Sequence, residues 1–169
     1  KVIVHIDEGN NPNRYIWLFD GLKADGGKWD VIGMSLYPDP ETQDWRKLNN
    51  DCISNIKNLI ERYNTPVMMC ELGINWNYEE AEAFFTDFVT KAKEIDQCLG
   101  VFTWEPQCYG GWKGYHKGLF DDSGKPTSAF NASAIFPENV IALSRASLNC
   151  ISSASPSFLF IRCPFRRRM

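Results

Sequence analysis

Two carboxylates stand at the ends of apolar runs. Glu71 closes Pro66-Val67-Met68-Met69-Cys70, and Glu105 follows Leu99-Gly100-Val101-Phe102-Thr103-Trp104. A continuous apolar run of this length reads as a strand covered on both faces, the signature of a parallel sheet. Burying an unpaired charge in such a core costs too much, so each Glu must emerge at a strand tip. In parallel α/β barrels the C-terminal strand ends carry the chemistry, which makes Glu71 the first catalytic candidate. Two carboxyl groups are what glycosidic cleavage requires, one as acid and one as nucleophile or base. Glu71 and Glu105 could form that pair themselves, since adjacent strands lie about 4.8 Å apart.

A sugar also needs a surface. Its flat C–H faces are covered at low entropic cost by aromatic rings. Trp45, Trp76, Trp104 and Trp112 lie at strand ends or in the loops after them, and Tyr37, Tyr78, Tyr109, Tyr115 and His116 add polar rims. Phe84, Phe85 and Phe88 instead sit at helical spacing and read as core. Trp112, in Gly110-Gly111-Trp112-Lys113-Gly114, is loop sequence and reads as a stacking residue.

The elements that must position these groups follow from periodicity. Residues 1–137 alternate strand and helix. Strands are predicted at Lys1–Asp7, Trp29–Tyr37, Pro66–Glu71 and Leu99–Trp104. Helices are predicted around Arg14–Leu22, over apolar positions 48, 52, 56, 59, 60 and 63, and over 81, 84, 85, 88, 92 and 95. A last helical stretch is expected near Pro126–Phe136. Strand–helix units at this spacing are right-handed βαβ units. No GxGxxG or GxxxxGK[ST] follows any strand, which disfavours a nucleotide-binding sheet. A barrel of eight units needs about 250 residues, so the expectation is half of one.

Charge divides the chain. Residues 138–169 carry five Arg and one acid, while residues 1–137 carry thirteen basic and twenty acidic residues. That acidic body argues against a nucleic-acid partner. No run of 18 apolar residues exists, so no membrane-spanning helix is expected. The six cysteines show neither CxxC spacing nor a grouping with the two histidines, and Cys52 and Cys70 read as small hydrophobes. The Ser- and Arg-rich segment 138–169 reads as unrelated to the fold and disordered, as translation past a natural end or in another frame would give. Lys1 stands directly inside a strand, so the chain reads as a piece of a longer protein.

Four segments in order resemble the second half of the endo-β-1,4-galactanases of glycoside hydrolase family 53. They are Val2–Asp7, Trp29–Pro38, Val67–Glu71 and Gly100–Pro106; a fifth, Gly118-Leu119-Phe120-Asp121 with Gly124-Lys125, resembles the family's segment after the last strand. The resemblance implies a (β/α)8 TIM barrel of the retaining-glycosidase clan, with this chain supplying about strands five to eight. It further implies that Glu71 is the nucleophile, and that the acid/base Glu ends strand four, outside this chain. Tyr37 would hydrogen-bond the nucleophile, Trp104 would floor the sugar subsite, and His5 and Asp7 would line the cleft. Glu105 would order the cleft, and Trp76 and Trp112 would contact substrate. Leu36 and Thr103 depart from the aromatics usual at those positions. The loop after Glu71 lacks the ligands with which some relatives hold calcium, so no cofactor or metal is expected. The implied partner is galactan or arabinogalactan, acted on by a monomer that is secreted, periplasmic or on the cell surface. The other classes left open are a non-catalytic carbohydrate-binding barrel, another retaining glycosidase of the clan, and a phosphate- or cofactor-binding barrel using Gly110-Gly111.

Overall fold

A computed structural model describes residues 1–107, 109–135 and 159–162. Four strands, β1 (Ile3–Ile6), β2 (Val31–Leu36), β3 (Val67–Leu72) and β4 (Cys98–Thr103), pair in chain order and in parallel. Helices α1 (Pro12–Ala24), α2 (Trp45–Tyr63) and α3 (Ala81–Lys93) make the three crossovers. This is a run of consecutive βα units, the building plan of a (β/α)8 barrel.

Helix starts follow local chemistry. Asp44 accepts from the Arg46 and Lys47 amides at the head of α2, satisfying donors that have no intrahelical partner. Pro12 opens α1, where its missing N–H costs nothing. Asn64 ends α2 at φ 49°, a left-handed cap that Asn tolerates better than most residues.

The helices cover one face of the sheet. Val4, Ile6, Met34, Leu36, Val67, Met69, Leu72 and Val101 pack there against Tyr15, Phe19, Ile56, Leu59, Phe84, Phe85 and Phe88. Each Phe buried this way contributes about 1.5–3 kcal/mol, and Phe84 also meets Trp45 edge-on at 5.9 Å.

The opposite face is the less covered, more open one, although Val31 and Ser35 on it are buried. A Cβ added to Gly33 would meet His5 Cβ, Cys70 Sγ and Ile3 Cγ2, so those residues share its face. Ile3 is 44% exposed, and Met68 and Cys70 are only half-buried. The expectation that the Glu71 strand is covered on both faces is therefore corrected: its helix side is sealed and its other side is not.

The helical stretch expected near Pro126–Phe136 is a 3-10 segment, Ser128–Ile135. The Ser133 hydroxyl donates to the Phe130 carbonyl at 2.6 Å, a local bond that competes with helical pairing. Leu159–Arg162 forms β5, antiparallel to β4; the rest of the Ser- and Arg-rich segment lies outside the described residues.

Candidate active site

Glu71 owes its position to a β-bulge. Gly33 pairs with Met68 and Met34 with Met69, but Ser35 then pairs with Glu71, skipping Cys70. Strict alternation would put Glu71 on the helix-covered face with Val67 and Met69. The extra residue returns it to the open face, beside Ser35, and Leu72 resumes the core. The carboxylate thus escapes burial at the C-terminal end of β3.

Tyr37, the first residue after β2, donates its hydroxyl to Glu71 Oε2 at 2.9 Å. Burial, the Tyr115 phenol and the Glu71 charge, in that order, push the Tyr37 phenol far above its ordinary value. Tyr37 therefore keeps the proton it donates wherever Glu71 is charged. The pairing expected of these two residues is present.

The other predicted residues divide. His5 is exposed on the open face, and its Nε2 lies 2.5 Å from Ser35 Oγ, one register step from Glu71. Asp7 turns to α1 instead, bridging Arg14 at 2.8 Å, which also holds Glu8 at 3.0 Å. Trp76 and Trp104 are half-buried beyond β3 and β4, and the Trp76 amide donates to His116 O at 2.8 Å. Glu105 is half-buried at φ 41°, a conformation unusual for a residue with a side chain. Trp112 stands in the 3-10 segment Tyr109–Gly114, and its side chain lies outside what is described.

Trp45, grouped by sequence with the cleft aromatics, is 4% exposed. Its Nε1 donates to Glu80 Oε2 at 3.1 Å, and the same oxygen accepts from Tyr78 at 2.9 Å. Arg46 pairs with both Glu80 oxygens. These bonds hold the Glu80 carboxyl down to about 2, Arg46 contributing most. A depressed carboxylate contributes stability that is present above its unfolded value and is lost as pH falls through the folded one. Glu80→Gln is expected to melt below the parent protein at pH 7, and the gap should close between about pH 4.5 and pH 2. Melting curves across that range check it; a gap that does not change with pH would contradict the clamp.

Tyr115 and His116, expected as polar rims, belong to a segment, 115–117, that reaches across several strand ends. The Tyr115 hydroxyl reaches Trp104 O at 3.2 Å and Lys117 O at 3.4 Å, and Lys117 Nζ donates to Pro38 O at 3.3 Å. Burial pushes the Lys117 amine down, and Asp39 opposes that shift. Nothing in a polar loop sequence announces such contacts.

Among the described residues, no three His, Cys, Asp or Glu side chains gather as metal ligands would, and no helix is long and apolar enough to cross a membrane. A parallel sheet with helices on one side, and a carboxylate–phenol pair at the strand tips of the other, is a partial TIM barrel of the kind found in glycosidases. Residues 1–84 match the model of Glycosyl hydrolase family 53, a segment that includes Glu71 and Tyr37.

Solved structures repeat the fold. An Ignisphaera aggregans GH53 catalytic domain superposes with a TM-score of 0.60 at 21% identity, over 78% of this chain and 45% of that one. A structure of fungal β-1,4-galactanases gives 0.63 at 18% identity, over 78% and 47%. A thermostable mutant of the Cellvibrio japonicus xylanase Xyn10A gives 0.62 at 12%, over 77% and 47%. At such identities the likeness shows the fold alone. A Niallia circulans protein described as an uncharacterized protein in the bgaB 5′ region is 30% identical over 83 residues, 48% of this chain and 21% of its own length. The chain thus spans about half the length of the solved structures it matches.

Proposed function

We propose that this chain is the C-terminal half of a retaining endo-β-1,4-galactanase, hydrolysing the galactan backbone of type I arabinogalactan. The observation that supports this best is the Tyr37–Glu71 pair at the C-terminal strand tips, inside a segment of family 53 sequence. Glu71 attacks the anomeric carbon and forms a glycosyl-enzyme. An acid/base Glu from the preceding half protonates the leaving oxygen, then deprotonates the incoming water. The two carboxyls should stand about 5–5.5 Å apart, the separation of a retaining enzyme. Tyr37 keeps the Glu71 oxygens oriented through its hydrogen bond. Trp104 and Trp76 stack sugar faces, His5 lines the cleft on the open face, and Glu105 orders the end of β4. Asp7, tied to Arg14, acts by holding the rim of the cleft. A polysaccharide substrate places the enzyme outside the cytoplasm: secreted, periplasmic or on the cell surface.

The full-length protein is expected to release short galacto-oligosaccharides from β-1,4-galactan and to leave β-1,4-xylan intact. Reducing-end assays with chromatography of the products check this. Cleavage of xylan with galactan untouched would move the protein to another substrate class of the clan, and binding of galactan with no cleavage would make it a carbohydrate-binding barrel.

A further inference from the structure

His5 and Ser35 are bonded from β1 to β2 on the face that carries Glu71. His5 Nε2 lies 2.5 Å from Ser35 Oγ, and Ser35 pairs in register with Glu71 on β3. His5 itself stands opposite Gly33. A Cβ on Gly33 would come within 2.7 Å of the His5 Cβ and 2.9 Å of Cys70 Sγ. The missing side chain at 33 leaves room for the imidazole to lean along β2 and reach Ser35.

A contact between an imidazole nitrogen and a hydroxyl holds one proton, and burial decides whose it is. Ser35 is 2% exposed, so its hydroxyl has little access to water. Among the described residues its Oγ has one partner, His5 Nε2. The Glu71 carboxylate next to it is bonded by Tyr37 and not by Ser35. If Nε2 carried the proton, Ser35 would accept it, and the buried hydroxyl proton would be left without an acceptor, which is unfavourable. Ser35 therefore donates, Nε2 accepts, and the neutral ring carries its own proton on Nδ1. His5 is exposed, and no described residue bonds its Nδ1. That N–H is left for whatever occupies the cleft.

We propose that Ser35 is a positioning residue: its hydroxyl fixes His5 as the Nδ1–H tautomer, so that His5 presents a hydrogen-bond donor to a hydroxyl oxygen of the sugar seated against Glu71. The role in substrate binding rests on the galactanase reading of the cleft. The two tautomers offer a ligand opposite things, since Nδ1–H gives a proton and a bare Nδ1 takes one. A sugar hydroxyl can do either, so a fixed donor settles which way that hydroxyl turns. Without the Ser35 proton, nothing on β2 holds Nε2 bare.

The test reads the tautomer directly. Ring nitrogens of the ¹⁵N-labelled full-length enzyme are correlated with their carbon-bound protons by NMR at alkaline pH, where imidazole is neutral. The His5 signals are identified by their loss in His5→Gln. The parent should show a pyridine-type Nε2 and a pyrrole-type Nδ1. Ser35→Ala should move both shifts toward the average of two exchanging tautomers, and kcat/KM on galactan should fall roughly tenfold, the scale of one lost hydrogen bond. In a His5→Gln background Ser35→Ala should cost nothing more, because the group that it positions is gone. If Ser35→Ala does not fold, the parent spectrum still decides. A parent His5 protonated on Nε2 would overturn the proposal, as would a Ser35→Ala enzyme with the parental spectrum or the parental rate. A parent that cleaves no galactan would sink the galactanase reading instead, and the His5 spectrum would still decide the tautomer.

Discussion

Glu71→Gln in the full-length enzyme is expected to lower galactan turnover by a factor on the order of 10⁴ or more, the scale on which loss of a nucleophile is felt elsewhere. The substitution keeps shape and volume and still accepts the Tyr37 hydroxyl, so the fold should be undisturbed. What it removes is the oxygen nucleophile of the covalent step, for which the described part of the cleft offers no equivalent at the same strand tip. Oligosaccharide binding should survive within a few-fold, because ring stacking on Trp104 and Trp76 does not need the charge. Steady-state kinetics beside calorimetric titration separate the two effects. A variant that retains near-parental kcat would mean that Glu71 is a bystander.

The second large effect concerns the chain by itself. Purified residues 1–169 should show no galactan hydrolysis at all. β1 is an edge strand with Val2 55% and Ile3 44% exposed, and among the described residues no helix covers the sheet face bearing His5, Cys70 and Glu71. An open edge and an uncovered apolar face favour association over a single folded state. Even when folded, the chain lacks the acid/base carboxylate that the proposed assignment puts in the preceding half, and Glu71 without it cannot complete the reaction. Turnover by this polypeptide at an enzymatic rate, about 1–1000 per second, would show that the second carboxylate lies within it, Glu105 being the obvious candidate.

Much of the scaffold was legible because the apolar spacing is regular. The buried positions of α2 include Cys52, Ile56 and Leu59, and those of α3 include Phe84, Phe85, Phe88 and Ala92, as the helical period required. The Glu at the tip of β3 was legible too, since a charge cannot continue an apolar run. The bulge that aims it was not. Val67 to Cys70 is apolar at every position, so alternation carries no register signal, and the skip at Cys70 emerges only when β2 is laid alongside. Trp45 was misplaced for a related reason. Its position after a strand suggested the cleft, but its indole N–H finds Glu80, and that bond makes burial tolerable. Asp7 stands at a strand tip, where the pattern points to chemistry, yet Arg14 in the first turn of α1 captures it. Contacts such as those of Tyr115 and Lys117 depend on how one loop folds back over three strands, and no local pattern encodes that.

The most direct test of the account is covalent trapping. A 2-deoxy-2-fluoro galactoside with a good leaving group lets the first displacement occur and slows release, because fluorine at C2 disfavours the oxocarbenium-like transition state of hydrolysis. Mass spectrometry of the digested full-length enzyme should find the fluorogalactosyl adduct on the peptide containing Glu71, attached to its carboxylate. An adduct on another carboxylate, or galactan hydrolysis with inversion at the anomeric centre and no adduct, would contradict it.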